Sequence, residues 1–326
     1  MNRKLVETEE VNISSLKIVS FTPIPNDKRN TKVIVAETKE QILSVLTQPK
    51  INSYVQIKNQ TYHILNNLPF NVDDKKETII TLCSGGYSNN GNPYSYCGYL
   101  SIKTGVCPEN ATCITFEFPT DTFRKFNFCQ TDDLNCIKDI LTYILRCYKK
   151  PQIILYGGCK GATCFMNFLS EQVKSGDKEH FLPFIKMIIA ESPPISVNSA
   201  LQRTPCYCLS INVLKYCFPN FNHDQETILD KRYYPLIPTL IGSLPGDTIA
   251  ERKDLLLLQK RLNDIAKKEI VESLTLNVCE IISIFLSEDN SLIHGQLAKD
   301  QKYQVFVKEF VKKNLSDNKI KNEIKN

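Results

Sequence analysis

Three features of this sequence predict an α/β protein with a mostly parallel central sheet covered by helices on both faces. From residue 77 onward, short apolar runs rich in β-branched residues recur. Stretches with helical spacing alternate with them, and a glycine-rich turn joins one such run directly to one such stretch. Strands that alternate with helices build a parallel sheet, and a strand buried on both faces reads as continuous apolar sequence. With 326 residues, 42% hydrophobic and 23% charged, the chain can bury one large core or two modest ones.

The elements follow in order. In residues 1–70, Lys32–Ala36 and Tyr54–Leu65 suit strands of an antiparallel start to the sheet, and Lys39–Leu46 between them has helical spacing. Thr78–Cys83 is apolar throughout, and Thr112–Phe118 is a second such run that stops at Pro119. Asp132–Leu145 carries apolar residues at 134, 137, 140, 141, 144 and 145, one face of a helix, with Thr131 as its N-cap. Gln152–Tyr156 is a strand, Gly157–Gly161 a turn and Ala162–Leu169 a helix; Ile185–Ala190 is the next strand. Residues 192–234 break the pattern with prolines, aromatics and polar turns. Pro238–Gly242 resumes it, a charged helix follows near 250–268, Cys279–Phe285 is the last strand, and Tyr303–Val311 is an amphipathic helix. These spans divide the chain into residues 1–70, a core over 71–313 and a polar tail over 314–326.

Bulk chemistry excludes several classes. The net charge is only +5, with Lys and Arg scattered, whereas a nucleic-acid surface needs a concentrated basic face. No run reaches the ~18 apolar residues of a membrane span. The first ten residues lack the apolar stretch of a signal peptide, so the chain is expected in the cytoplasm. Most of the 13 cysteines sit in apolar runs, where a free cysteine behaves as a small hydrophobe. They form no paired metal-binding spacing, and no metal or organic cofactor is expected.

Cys159 is different. It lies in Gly157-Gly-Cys-Lys-Gly161, between a strand and a helix. A nucleophile lifted above a sheet on a tight turn needs small residues two places to either side, and Gly157 and Gly161 hold those places. The helix that follows adds unpaired N–H groups and a positive dipole end, which favour a thiolate and a developing oxyanion.

With this turn in this context, residues from about 75 to 312 resemble the α/β-hydrolase superfamily, and the Gly-x-Cys-x-Gly form is similar to the cysteine variant of dienelactone hydrolases. The resemblance implies an α/β-hydrolase fold and a triad in the order nucleophile, acid, histidine. Asp247, after the strand at 238–242, stands in the acid's place, and His294, after the strand at 279–285, in the histidine's. It also implies an oxyanion hole from Gly85 and Gly86 with the N–H of Lys160. The function implied is a cysteine-dependent hydrolase acting on a small-molecule ester or thioester. An acyltransferase sharing the acyl-enzyme, a binding protein with a decayed site and a redox-responsive thiol are the alternatives. Residues 192–234 are expected to form a lid, with Tyr216 and Phe218 facing the substrate. Substrate identity and oligomeric state are not legible.

Overall fold

The structure, a computed structural model, describes residues 52–57, 60–66, 78–84, 108, 111–116, 118, 129, 131–148, 150–178, 180–195, 233–273, 282–292 and 294–323. The expected strand at 32–36, the helix at 39–46, Gly85, Gly86 and most of the expected lid, Tyr216 and Phe218 included, lie outside these residues.

The strands are β1 (Asn52–Ile57), β2 (Gln60–Asn66), β3 (Thr78–Ser84), β4 (Ala111–Phe116), β5 (Pro151–Gly158), β6 (Ile185–Glu191), β7 (Thr239–Ser243) and β8 (Ile282–Leu286). They form one sheet in the order β1-β2-β4-β3-β5-β6-β7-β8. β1 and β2 join antiparallel at one edge. All the pairings from β4 through β3 to β8 are parallel. The stretch Tyr54–Leu65 is therefore two strands: Ile57 pairs with Gln60, so Lys58 and Asn59 are the only residues between them. A two-residue polar break is the spacing of a tight hairpin, easily lost inside a longer alternating run.

Four helices are described: α1 (Thr131–Cys147), α2 (Lys160–Ser175), α3 (Arg252–Ser273) and α4 (Gln301–Glu323). They explain why the strands show no polar alternation. Ile80, Leu82, Ile153, Leu155, Ile188 and Ile241 share one core with residues of α1, α2 and α3, among them Ile137, Phe165 and Leu258. Cys83, Ile154, Tyr156, Met187, Ile189 and Leu240 share another with Tyr303, Val307 and Val311 of α4. Every residue of β5 is buried. Each such side chain contributes about 1.5–3 kcal/mol on leaving water, so the centre of the sheet is the least yielding part of the molecule.

Several boundaries differ from the sequence reading, among them the end of the helix expected over Ala162–Leu169, which runs to Ser175. Tyr303–Val311 is only the early part of α4, which continues to Glu323. More consequentially, β5 runs through Gly158 and α2 begins at Lys160, so the turn expected over 157–161 contracts to Cys159 alone. At its other end α2 closes on Gly176, at φ 75°, whose N–H donates to the carbonyls of Gln172 and Val173.

Candidate active site

Cys159 stands at φ 51° and ψ −124°. A non-glycine residue in the left-handed half of φ space carries strain of about 1–3 kcal/mol and needs its surroundings to hold it there. Its N–H donates to the carbonyl of Glu191 at 2.9 Å, and its own carbonyl accepts from the Thr163 N–H at 3.2 Å. Thr163 is anchored in turn, its Oγ1 donating to the Pro194 carbonyl at 2.7 Å. Cys83, Cys113, Cys129, Cys136 and Cys164 are buried, whereas Cys159 is partly exposed.

Gly157 makes this turn possible, for a reason other than the one expected. A Cβ built there would stand 2.5 Å from both Cα and N of Ala162 and 2.7 Å from the carbonyl carbon of Gly161. The nearest obstacle is the backbone of the helix's first turn, not the Cys159 side chain. Gly161 itself is buried within that first turn.

Asp247 and His294 come from the two loops that follow β7 and β8. Asp247 Oδ1 accepts from the N–H groups of Ile249 and Ala250, both at 2.9 Å, which fixes the carboxylate on its own loop. Its two oxygens lie 2.9 and 2.8 Å from His294 Nδ1. Burial pushes the Asp247 carboxyl up, but the hydrogen bond and charge of His294, with the Ala250 N–H, hold it below the ordinary carboxylate value. His294 shows the converse. Burial pulls its proton affinity down, yet the Asp247 carboxylate and the neighbouring Cys159 sulfur lift it to about 10. Nε2, the ring nitrogen that Asp247 leaves over, is buried and makes no ordinary hydrogen bond with a described residue. The Cys159 sulfur nonetheless lies close enough to raise the proton affinity of the ring.

A clasp holds the histidine loop. Ser287, just past β8, donates its N–H to the Ser243 carbonyl at 2.9 Å and its Oγ to Asp300 Oδ2 at 2.5 Å. The Ser287 carbonyl accepts from Arg252. Asp300 Oδ1 accepts from the Lys302 N–H at 2.8 Å and the Tyr303 N–H at 3.3 Å, capping α4. Gly242 lets this assembly close on the sheet, because a Cβ there would meet Leu297 Cδ2 at 2.3 Å and Tyr303 Cε2 at 3.1 Å.

Two charged side chains beside the turn had no role in the sequence reading, which used only the backbone N–H of Lys160. Glu191, fully buried at the end of β6, accepts from the Tyr156 hydroxyl at 2.9 Å. Lys160, the first residue of α2, is fully buried with its Nζ 3.3 Å from Asp133 Oδ2. The available signal was a lysine inside the otherwise small and apolar run from Gly157 to Ala162. Among the described residues no group of three or more His, Cys, Asp or Glu is arranged to hold a metal ion. No helix among them is long and apolar enough to cross a membrane.

The structure thus brings Cys159, His294 and Asp247 together at the carboxyl ends of β5, β8 and β7, with Lys160 beside them. A thiol, an imidazole and a buried carboxylate in that sequence can pass a proton between sulfur and a bound reactant while the carboxylate steadies the charge on the ring. Strand order and connectivity define an α/β-hydrolase fold. Neither a family model nor a curated protein sequence matches the chain. Solved structures do match it in three dimensions. The Pyrococcus furiosus esterase Pf2001 superposes with a TM-score of 0.55 at 14% identity, covering 87% of this chain and 99% of its own. Est1E from Butyrivibrio proteoclasticus gives 0.54 at 11%, covering 81% and 98%. Esterase B from Lactobacillus rhamnosis gives 0.54 at 10%, covering 83% and 86%. At these identities the likeness establishes the fold.

Proposed function

We propose that this chain hydrolyses small-molecule esters or thioesters through an acyl-enzyme on Cys159. The observation that carries this reading is the strained cysteine on a one-residue turn, next to a histidine whose other nitrogen is held by a buried aspartate. The ester class draws further support from the structural neighbours, several of which are esterases. The cysteine in place of a serine accords with the cysteine variant that Gly157–Gly161 resembles.

Cys159 sulfur attacks the substrate carbonyl as the thiolate, its proton held on His294 Nε2. The carbonyl oxygen becomes an oxyanion, which the N–H of Lys160 at the head of α2 stabilises. Gly85 and Gly86 supply the partner donor in this reading. As the tetrahedral adduct collapses, the bond to the leaving alcohol or thiol breaks and His294 returns the proton to it. Water, deprotonated by His294, then attacks the thioester and releases the acid and the free cysteine. The raised proton affinity of His294 suits the acid half of this cycle, since the ring still carries its proton at neutral pH.

The test pairs turnover with labelling. The wild-type protein should hydrolyse short p-nitrophenyl esters, and iodoacetamide should modify Cys159 stoichiometrically and abolish that activity. Cys159→Ala should have a native spectrum and no turnover. Undiminished hydrolysis by that variant would remove Cys159 from the reaction.

A further inference from the structure

We infer that the buried Asp133–Lys160 ion pair is a positioning device that holds the backbone N–H of residue 160 where the oxyanion forms. This rests on the acyl-enzyme reading above and assigns a task to two side chains that the triad leaves unused.

The pair joins parts of the chain distant in sequence. Lys160 is the first residue of α2, and its Nζ lies 3.3 Å from Asp133 Oδ2 in the first turn of α1, both side chains having no exposure to solvent. The same carboxylate oxygen accepts from the Cys129 N–H at 2.9 Å, at a residue held at φ 56°. The ammonium also sits over the Phe118 ring, 4.9 Å from its centroid, just beyond β4. The anchor for the lysine head is therefore itself fixed from several sides.

Stability alone does not account for this arrangement. Two charges fully removed from water lose about as much in desolvation as their attraction returns, and a well-packed neutral pair of similar volume serves a core equally well. What a charged pair has and an apolar pair lacks is direction. Its donor and acceptor must meet at a set distance and angle, and that constraint passes along the side chain to the backbone. Here the backbone in question begins immediately after the strained Cys159. The peptide between residues 159 and 160 is pinned by the turn on one side and by the Lys160 head on the other. An oxyanion donor works only when held within about 0.5 Å of its productive place. Freedom in this peptide plane is the freedom that would spoil it.

The pair is not an electrostatic contributor in its own right, because Asp133 neutralises the lysine charge. It acts through the geometry of the Lys160 N–H, and Asp133 and the Lys160 side chain are positioning groups.

The decisive comparison sets ester turnover against alkylation. Attack of Cys159 on iodoacetamide requires the sulfur but no oxyanion site, whereas ester hydrolysis requires both. Breaking the pair on one side takes this partner from a buried charge, and the Lys160→Met and Asp133→Asn single variants risk misfolding. The Lys160→Met/Asp133→Asn double variant removes both charges, while the new amide oxygen still offers an acceptor to the Cys129 N–H. For the double variant we expect near-native melting, Cys159 alkylation within about twofold of wild type, and kcat on p-nitrophenyl esters lowered about 10- to 100-fold with KM little changed. An unchanged kcat in the folded double variant would overturn the inference. So would alkylation and turnover falling by the same factor, because the pair would then support the whole turn. Absence of turnover in the wild-type protein, with Cys159 still labelled, would overturn the hydrolase reading itself and the inference with it. That failure shows in the wild type before any variant is made.

Discussion

Gly157→Ala adds one methyl group, and the structure says where it must go. Its Cβ would sit 2.5 Å from Cα and N of Ala162 and 2.7 Å from the Gly161 carbonyl carbon. Carbon atoms in good contact stand about 3.5–4.0 Å apart, so the overlap is about 1 Å. No side chain can rotate away, since all three atoms are backbone of the first turn of α2. The strand is equally confined, buried along its whole length. The first turn must therefore move by something near the overlap and carry Cys159 with it. Overpacking of a well-filled core costs about 1–3 kcal/mol, and rigid neighbours put this case at the upper end. At about 2 °C per kcal/mol for a large domain, the melting temperature should fall by about 4–6 °C. A displacement of about 1 Å at the reacting atom should lower ester turnover on the order of 100-fold. Gly246→Ala is the matched control: its Cβ meets nothing within 4 Å, and the residue lies next to Asp247. That variant should melt at or slightly above the wild type, because alanine restricts only the unfolded chain. Thermal melts, hydrolysis of p-nitrophenyl acetate and iodoacetamide labelling of both variants decide the matter. A Gly157→Ala protein with wild-type melting and wild-type labelling would refute the argument that the turn leaves no room.

Further outcomes follow from the histidine and its surroundings. Asp247→Asn keeps an oxygen for the Ile249 and Ala250 N–H groups but cannot balance an imidazolium, so kcat should fall on the order of 10⁴-fold with the fold intact; a loss below tenfold would deny Asp247 that part. His294 is raised from 6.5 to about 10 in the folded protein, so its contribution to stability is complete below pH 6.5 and disappears as pH rises through about 10. Asp247 is lowered from 3.8, so its contribution is present above that value and is lost as pH falls through the folded value. Urea melts of wild type and His294→Ala should accordingly differ most between about pH 4 and 6.5 and converge towards pH 10, and a constant difference would contradict the pairing. For the lid proposed from the sequence, Tyr216→Ala with Phe218→Ala should shift the preference between short and long acyl chains more than it lowers the melting temperature. Equal losses on all chain lengths, tracking stability, would sink that proposal.

The sequence by itself determined the architecture, because the physics that marks a doubly covered parallel strand is local. A run such as Gln152–Tyr156 has no polar face to show, and its glycine-rich end announces an abrupt change of direction. Helix spacing at Asp132–Leu145 is equally local, and the helix spans Thr131–Cys147. Chain order also places Asp247 and His294 after successive strands, since parallel strands put their following loops at one end of the sheet. What the sequence could not state was distance. Only the folded chain brings His294 Nδ1 within 2.8 Å of Asp247, closes the histidine loop through Ser287 and Asp300, and shows that Gly157 makes way for helix backbone rather than for Cys159. The Asp133–Lys160 pair is the clearest case. An aspartate beside another aspartate and a lysine after a cysteine give no sign of one another in the sequence, because pairing between residues on separate helices leaves no periodic trace. Tertiary packing alone buries both, and a buried charge must find its opposite.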